Sequence, residues 1–175
     1  MQFVIQVVLD HLQLLAIIAG FVGTFITIRR QTRVFQTYVA LEFFRRYAEI
    51  SKAMPDRLRL AKYIADTSPI SDEEQRSIIR SMIEYGNLCS EEFALWEQGR
   101  VPAEIWEIWT NGIAEHFETE IWREAWAQVS PAYESYKPFI GFMNQLVQKA
   151  EQTATKKQMQ ATDHWVEDKD QPRPS

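Results

Sequence analysis

Residues 12–33, LQLLAIIAGFVGTFITIRRQTR, decide the organisation of this chain, because they join an apolar run to a group of arginines. Residues 12–28 hold no charged side chain, and their 17 residues would extend roughly 26 Å as an α-helix, close to the hydrocarbon thickness of a bilayer. A cleaved signal peptide is the weaker explanation, since no basic segment precedes the run and no small-residue cleavage site follows it. The stretch predicts a transmembrane anchor over residues 1–28.

The charges on either side of the predicted span set its orientation. Arg29, Arg30 and Arg33 follow the span, whereas the preceding segment carries Asp10 and neither Lys nor Arg. The positive-inside rule then places the amino terminus outside and the rest of the chain in the cytoplasm. We therefore expect a single-pass protein of the cell inner membrane, with these three arginines at the membrane interface and Cys89, the only cysteine, on a reducing side.

Small and polar residues recur on one side of the predicted span. Such residues allow helices to approach closely and to form interhelical hydrogen bonds, so this face predicts a partner in the membrane, either a second copy or another membrane protein. A lone anchor whose small residues are scattered by chance is an equal alternative. The candidate packing face consists of Gln13, Ala16, Gly20, Gly23, Thr24 and Thr27.

Helical periodicity continues beyond the span. Apolar residues recur at spacings of three and four, strand alternation is absent, and short Gly- or Pro-containing stretches separate the helical patterns. Ser71 and Glu74 form a capping-box pattern, Gly99 marks a helix end, and Pro138 should bend or break the last helical region. We expect an all-α protein in which the transmembrane helix continues into an irregular cytoplasmic bundle of about five helices over residues 29–151, followed by a disordered polar tail over residues 152–175.

The net charge of −5 conceals an uneven distribution. Residues 29–62 carry nine Lys/Arg and three Asp/Glu, whereas residues 63–175 carry ten and twenty. A basic segment next to the span is attracted to an anionic leaflet, which predicts a membrane-facing pole; in the alternative, the arginines only set topology. The acidic remainder would repel phosphate, so no nucleic acid partner is expected.

One segment of the chain carries a resemblance. It lies between residues 89 and 126 and resembles a group of small bacterial membrane-anchored all-helical proteins catalogued only as a domain of unknown function. The resemblance implies a helical domain behind an amino-terminal membrane helix and brings no catalytic residue. The residues that carry it are Cys89, Glu91, Glu92, Phe93, Leu95, Trp96, Gly99, Pro102, Glu104, Ile105, Trp106, Trp109, Gly112, Ile113, Phe117 and Trp126.

Candidate chemistry is sparse, and we expect no catalytic residue, cofactor or metal. His116 lacks the Glu-x-x-His pairing of helical-bundle metal sites, so ion pairs with neighbouring residues are the favoured role for the nearby Glu91, Glu92, Glu115 and Glu120. An aromatic cage for a cation is conceivable, but helical spacing favours core packing for its four tryptophans. These are Trp106, Trp109, Trp122 and Trp126.

Two function classes follow from these patterns. The favoured one is a non-enzymatic adaptor or regulatory subunit at the inner face of the membrane, bound to lipid through its amino-terminal helix. The alternative is a ligand sensor or enzyme with a pocket among the tryptophan-rich helices. This alternative would use Glu91, Glu92 or His116, and it requires these groups to converge in one cavity.

Overall fold

The computed structural model describes the backbone of residues 2–64 and 66–169, and the side chains of these residues except 2–12, 14 and 161–169. The described residues form helices and no strands, which confirms the all-α class. The α-helices are α1 (Gln2–Ala53), α2 (Asp56–Arg59), α3 (Asp72–Glu97), α4 (Ala103–His116), α5 (Glu120–Val129) and α6 (Lys137–Lys169), with a 3-10 turn at Ser130–Tyr133 between α5 and α6.

Intramolecular contacts divide the chain into two units, Met1–Glu42 and Phe43–Ser175. The first unit is helical, and most of its described apolar side chains are exposed, for example Leu15, Phe21 and Phe25 at 61%, 73% and 57%, whereas Ala40 near its end is buried. Within the part of the chain that the structure describes, no helix combines the length and the apolarity needed to cross a membrane. The predicted span at residues 12–28 is thus not supported by the structure, and part of it lies outside the described side chains; membrane attachment stays a prediction.

The second unit is a helical bundle in which α3 packs against α5 and α4 packs against α6. Each of its helices is apolar along one face, and the helices pack so that these apolar faces are removed from water. The largest side chains that are fully buried are Trp122, Phe117, Phe139, Leu58, Ile78, Met82, Leu88 and Met143.

Local sequence explains where these helices begin and end. The Ser71 hydroxyl accepts a hydrogen bond from the backbone N–H of Glu74 at 3.2 Å, which confirms the capping pattern at the start of α3. Gly99 has φ +66°, a left-handed conformation that glycine adopts without steric cost, and it lies just beyond α3. Pro102 is the N-cap residue of α4. These signals mark both ends of α3 and the start of α4.

One expectation about the carboxyl-terminal region is confirmed and one needs correction. The last helical region is broken next to Pro138: the 3-10 turn ends at Tyr133 and α6 begins at Lys137, with Pro138 in its first turn, where its missing N–H is tolerated. Residues 152–169 are helical rather than disordered, and Gln, Lys and Ala, which recur in this stretch, are strong helix formers. The Lys157 ammonium also reaches the Glu118 carboxylate at 2.7 Å. Residues 170–175 lie outside the described residues.

Candidate functional site

The second unit contains a pocket of about 180 Å³ between helices α1, α3 and α4. Its wall is mostly apolar, and two of its residues, Phe44 and Ile108, are 39% and 54% exposed, so they form its rim. A pocket of this size is in the range that holds a small ring compound. The lining residues are Phe44, Tyr47, Tyr85, Leu88, Glu92, Ile108, Trp109, Gly112, Ile113 and His116.

Helical spacing explains why these residues share a wall. On α3, Tyr85, Leu88 and Glu92 are three and four residues apart and lie on one face. On α4, Trp109, Gly112 and His116 have the same spacing. An added Cβ at Gly112 would meet no atom within 4 Å, so this glycine leaves the α4 side of the pocket open.

Glu92 is the unusual residue of the pocket, because it is an acidic side chain that is only 5% exposed. Burial raises the pKa of its carboxyl group to about 8, while the nearby charge of Arg46 acts in the opposite direction and Glu91 adds to the rise. Among the described residues, none forms a hydrogen bond with this carboxyl group. Glu92 is therefore mostly protonated at neutral pH and has an unused hydrogen-bonding group.

Glu91, the neighbour of Glu92, faces a different partner. Its carboxylate oxygens accept hydrogen bonds from the Arg46 guanidinium at 2.5 and 3.0 Å, and this pairing lowers the pKa of Glu91. Two adjacent glutamates on α3 thus have opposite environments. One is ionised in an ion pair and the other is neutral in an apolar pocket.

His116 is held by aromatic side chains. Its ring stacks on Trp122 with centroids 4.2 Å apart and meets the Tyr85 ring edge-on at 5.6 Å. The Tyr47 hydroxyl and Nε2 of His116 share a hydrogen bond of 3.0 Å. Burial lowers the pKa of His116 to about 4, so its imidazole is neutral at physiological pH.

Cys89 lies one turn before Glu92 and is buried. Burial raises the pKa of its thiol well above the usual value, and the nearby Glu92 acts in the same direction. A protonated, buried thiol is a poor nucleophile. Its role in this unit is packing.

The four tryptophans of the hypothetical cage do not share a site. Trp109 packs on Phe43, Trp126 stacks on Tyr133, and Trp106 stacks on Trp96 with centroids 5.2 Å apart. Trp122 stacks on His116, as described above, and donates from Nε1 to the Leu58 carbonyl at 2.8 Å. Only Trp109 lines the pocket, and its buried Nε1–H has no hydrogen-bond partner among the described residues.

The basic residues near the start of the second unit form ion pairs within that unit. Arg46 pairs with Glu91, and Lys62 pairs with Glu115 at 2.8 Å. The Arg57 side chain, 5% exposed, pairs with Asp66 at 2.9 Å. These pairs reduce the local excess of positive charge on which the predicted membrane-facing pole depends. Two further pairs are Arg45–Glu49 and Arg59–Asp56.

The residues predicted for the first unit are exposed along α1. The Thr24 and Thr27 hydroxyls each donate to a carbonyl one turn earlier, those of Gly20 and Gly23, at 2.9 Å. The Arg29 guanidinium lies over the Phe25 ring at 4.8 Å. The exposed residues of the two predicted sets also include Gln13, Ala16, Arg30 and Arg33.

Sequence reasoning considered Glu92 and His116 but did not expect Tyr47, Tyr85 and Gly112 to join them. One signal was available for Glu92, because it lies three residues after Cys89 and seven after Tyr85, on the apolar face of α3.

Across the described ranges, no group of three or more His, Cys, Asp and Glu side chains is arranged to hold a metal ion.

Comparison of the chain with protein-family models, with curated proteins and with solved structures found no match. The resemblance to membrane-anchored helical proteins of unknown function therefore stays a prediction, and the site has to be interpreted from its own geometry.

Proposed function

We propose that this chain is a membrane-anchored ligand-binding protein whose helical domain takes a small organic molecule into the pocket between α1, α3 and α4. The observation that carries the proposal is the buried Glu92 carboxyl group, which lines the pocket and has no hydrogen-bond partner among the described residues. The fully buried side-chain atoms that lack a partner do not include the Glu92 oxygens, so this carboxyl group is accessible from the pocket. A ligand in the pocket can therefore form the hydrogen bond that Glu92 does not form with the described residues.

The composition of the pocket wall also favours binding over a packing defect. Mostly apolar walls with a few placed polar groups are typical of small-molecule sites.

We favour binding over catalysis. The Cys89 thiol is buried and its pKa is raised, so it is not an activated nucleophile. The pKa of His116, about 4, is far below the range of an efficient general base at neutral pH. The pocket can hold a ligand, and we assign it no reaction.

The adaptor role rests on a membrane-facing basic pole, and the ion pairs of Arg46, Arg57 and Lys62 weaken that basis. No contact among the described residues specifically supports the adaptor hypothesis. Ligand sensing is the stronger proposal, and a protein or nucleic acid partner is not part of it.

The binding proposal is tested with Gly112→Leu, which fills the open side of the pocket. Small ring compounds that raise the melting temperature of the full-length protein should lose this effect in the variant. Gly141→Leu on α6 is the matched control, because an added Cβ there also meets no atom within 4 Å and Gly141 does not line the pocket. Equal responses from both variants would contradict the assignment of the pocket.

Membrane attachment is proposed on the exposed apolar side chains of the first unit and the uncharged run at 12–28. An apolar helix exposed on this scale is unstable in water and stable in lipid. The full chain should stay with the inner-membrane fraction after alkaline extraction, and a chain lacking residues 1–28 should be released. Protease added to intact spheroplasts tests the proposed orientation, in which the helical domain is protected.

The face containing Gly20 and Gly23 is proposed as a contact with a second copy of the span. Neither glycine has an atom within 4 Å of an added Cβ, so each is open to a partner helix. In a membrane self-association assay, replacing both by Ile should reduce association. Unchanged association would exclude the homomeric contact.

A further inference from the structure

The pocket has a chemical bias that goes beyond the ability to bind a small molecule. Its polar side chains are Tyr47, Tyr85, Glu92 and His116, and it contains neither Lys nor Arg among the described lining residues. This lining therefore has no cationic side chain to pair with an anion. The bias is therefore toward neutral or positively charged ligands.

We propose that the pocket takes a small organic cation, an ammonium group attached to a ring or short apolar chain, whose charge pairs with the Glu92 carboxylate. This inference rests on the proposed function and names its ligand class. It follows from the juxtaposition of one unpartnered acidic group with aromatic rings in the same pocket.

The aromatic rings supply the second half of the recognition. Phe44, Tyr47, Tyr85 and Trp109 line the pocket, and the face of an aromatic ring attracts a cation through its quadrupole. An ion pair alone would be costly in an apolar pocket, but an ion pair with surrounding rings recovers part of the lost hydration. The volume of about 180 Å³ suits a single ring with a short amine substituent.

The charged and titratable groups around Glu92 are compatible with a cation. Arg46 and Tyr47 come from α1, and His116 comes from α4 and is neutral. Of the neighbours on α3, Glu91 is ionised and pairs with Arg46, so that positive charge is already balanced. Tyr85 and Cys89, also on α3, are neutral because burial raises the pKa of both well above their usual values.

Binding of a cation requires Glu92 to lose its proton. At neutral pH the carboxyl group is mostly protonated, so each ammonium that binds should release close to one proton to the solvent, and charge stays balanced in the pocket. A neutral ligand would release none. Proton release therefore distinguishes an ion pair from a simple hydrogen bond.

The experiment compares benzylamine with benzyl alcohol, which have nearly the same shape and differ in charge. Isothermal titration of the full-length protein in lipid nanodiscs, with empty nanodiscs as the blank, should show benzylamine binding at least about tenfold more tightly at pH 7. Repeating it in two buffers of different ionisation enthalpy should give close to one proton released for benzylamine and none for benzyl alcohol.

Glu92→Gln is the decisive variant, because it keeps the size of the side chain and removes its charge. It should lose the preference for benzylamine and the proton release while still binding benzyl alcohol. Retained binding of benzyl alcohol shows that Glu92→Gln is folded. Gly112→Leu should block both compounds, and Gly141→Leu should block neither.

Other outcomes separate the two proposals. If both compounds bind equally to the wild type and Gly112→Leu blocks both, the pocket binds ligands but the cation proposal is wrong. If benzylamine binds with the same affinity to wild type, Glu92→Gln and Gly112→Leu, its site is elsewhere and the cation proposal is again wrong. If neither compound binds, both the cation proposal and its underlying binding proposal lose their support.

Discussion

Two glycines inside helices illustrate how one residue type can have opposite effects. An added Cβ at Gly86 on α3 would lie 2.6 Å from the Tyr133 hydroxyl oxygen, whereas one at Gly112 on α4 meets nothing within 4 Å. The Tyr133 hydroxyl is fixed there because it donates to the Ile83 carbonyl at 3.0 Å and lies 2.9 Å from Oδ1 of Asn87. Gly86 is thus required by close packing and Gly112 is not.

We expect Gly86→Ala to lower the free energy of unfolding by about 1–3 kcal/mol, because the Tyr133 ring must move. Gly112→Ala should raise it by about 0.5–1 kcal/mol, because alanine is the better helix former and space is available. Urea unfolding of the full-length protein in mild detergent measures both values. The same sign for both substitutions would contradict the packing described for Gly86.

Glu92 should make stability depend on pH in a particular direction. Its pKa is 4.5 as a reference value and about 8 in the folded protein. Between these values the unfolded chain ionises first, so the contribution of the protonated group is complete below pH 4.5 and is lost as pH rises through 8. Relative to wild type, Glu92→Gln should therefore gain about 4 kcal/mol of stability between pH 5 and pH 8.

His116 provides the opposite trend as an internal control. Its pKa falls from 6.5 to about 4 on folding, so its stabilising contribution is present above pH 6.5 and is lost as pH falls toward 4. The free energy of unfolding of His116→Gln should thus rise relative to that of wild type as pH falls toward 4. A flat difference between Glu92→Gln and wild type across pH 5–8 would mean that Glu92 is solvated.

At the scale of helices, two indoles on α5 have the same burial but different hydrogen bonding. Trp122 donates from Nε1 to the carbonyl of Leu58, the buried residue of α2, at 2.8 Å. The Nε1–H of Trp126 is buried and has no partner among the described residues. The first indole therefore fastens α5 to α2, and the second contributes by packing alone.

Trp122→Phe should consequently cost about 1–2 kcal/mol more than Trp126→Phe, although both remove the same atoms. The extra cost arises because Trp122→Phe leaves a buried carbonyl without its donor. Chemical denaturation of the two variants tests this, and equal losses would mean that the hydrogen bond makes no net contribution.

Helix positions were more predictable from the sequence than the site. The Ser71–Glu74 pattern and Gly99 act within a few residues, and each marks a helix end as predicted. A pocket depends on which faces of three helices meet and on the space left between them, and no single helical period determines that.

The same limit on prediction from sequence applies to Glu92 and His116 in the pocket. Each can be recognised as a polar residue in an amphipathic helix, but its surroundings come from other helices. Tyr47 belongs to an apolar stripe in the sequence and forms a hydrogen bond with His116 in the structure. That contact joins residues 69 positions apart, a separation that a local pattern does not encode.

For the whole molecule, the distribution of charge bears on the proposed attachment to a membrane. Residues 43–175 carry 16 Lys/Arg and 22 Asp/Glu, and the basic residues nearest the start of this unit form ion pairs within it. Electrostatic attraction to anionic lipid is correspondingly weak. The apolar first unit is left as the main candidate for attachment.

A chain lacking residues 1–28 should therefore not float with vesicles containing phosphatidylserine, even at low salt. The full-length protein should remain with such vesicles when the salt concentration is raised to about 1 M, because apolar burial is not screened by ions. If the shortened chain floats with the vesicles and added salt reduces this flotation, the hypothesis of a membrane-facing basic pole is supported again.

The single buried cysteine also makes the molecule a reporter of its own opening motions. Since Cys89 is hidden, a thiol reagent can modify it only during excursions that expose α3, and the labelling rate measures how frequently these occur. Because Cys89 is one turn from Glu92, a compound held in the pocket should slow the labelling of Cys89. The native cysteine is the reporter, so no reporter residue has to be introduced.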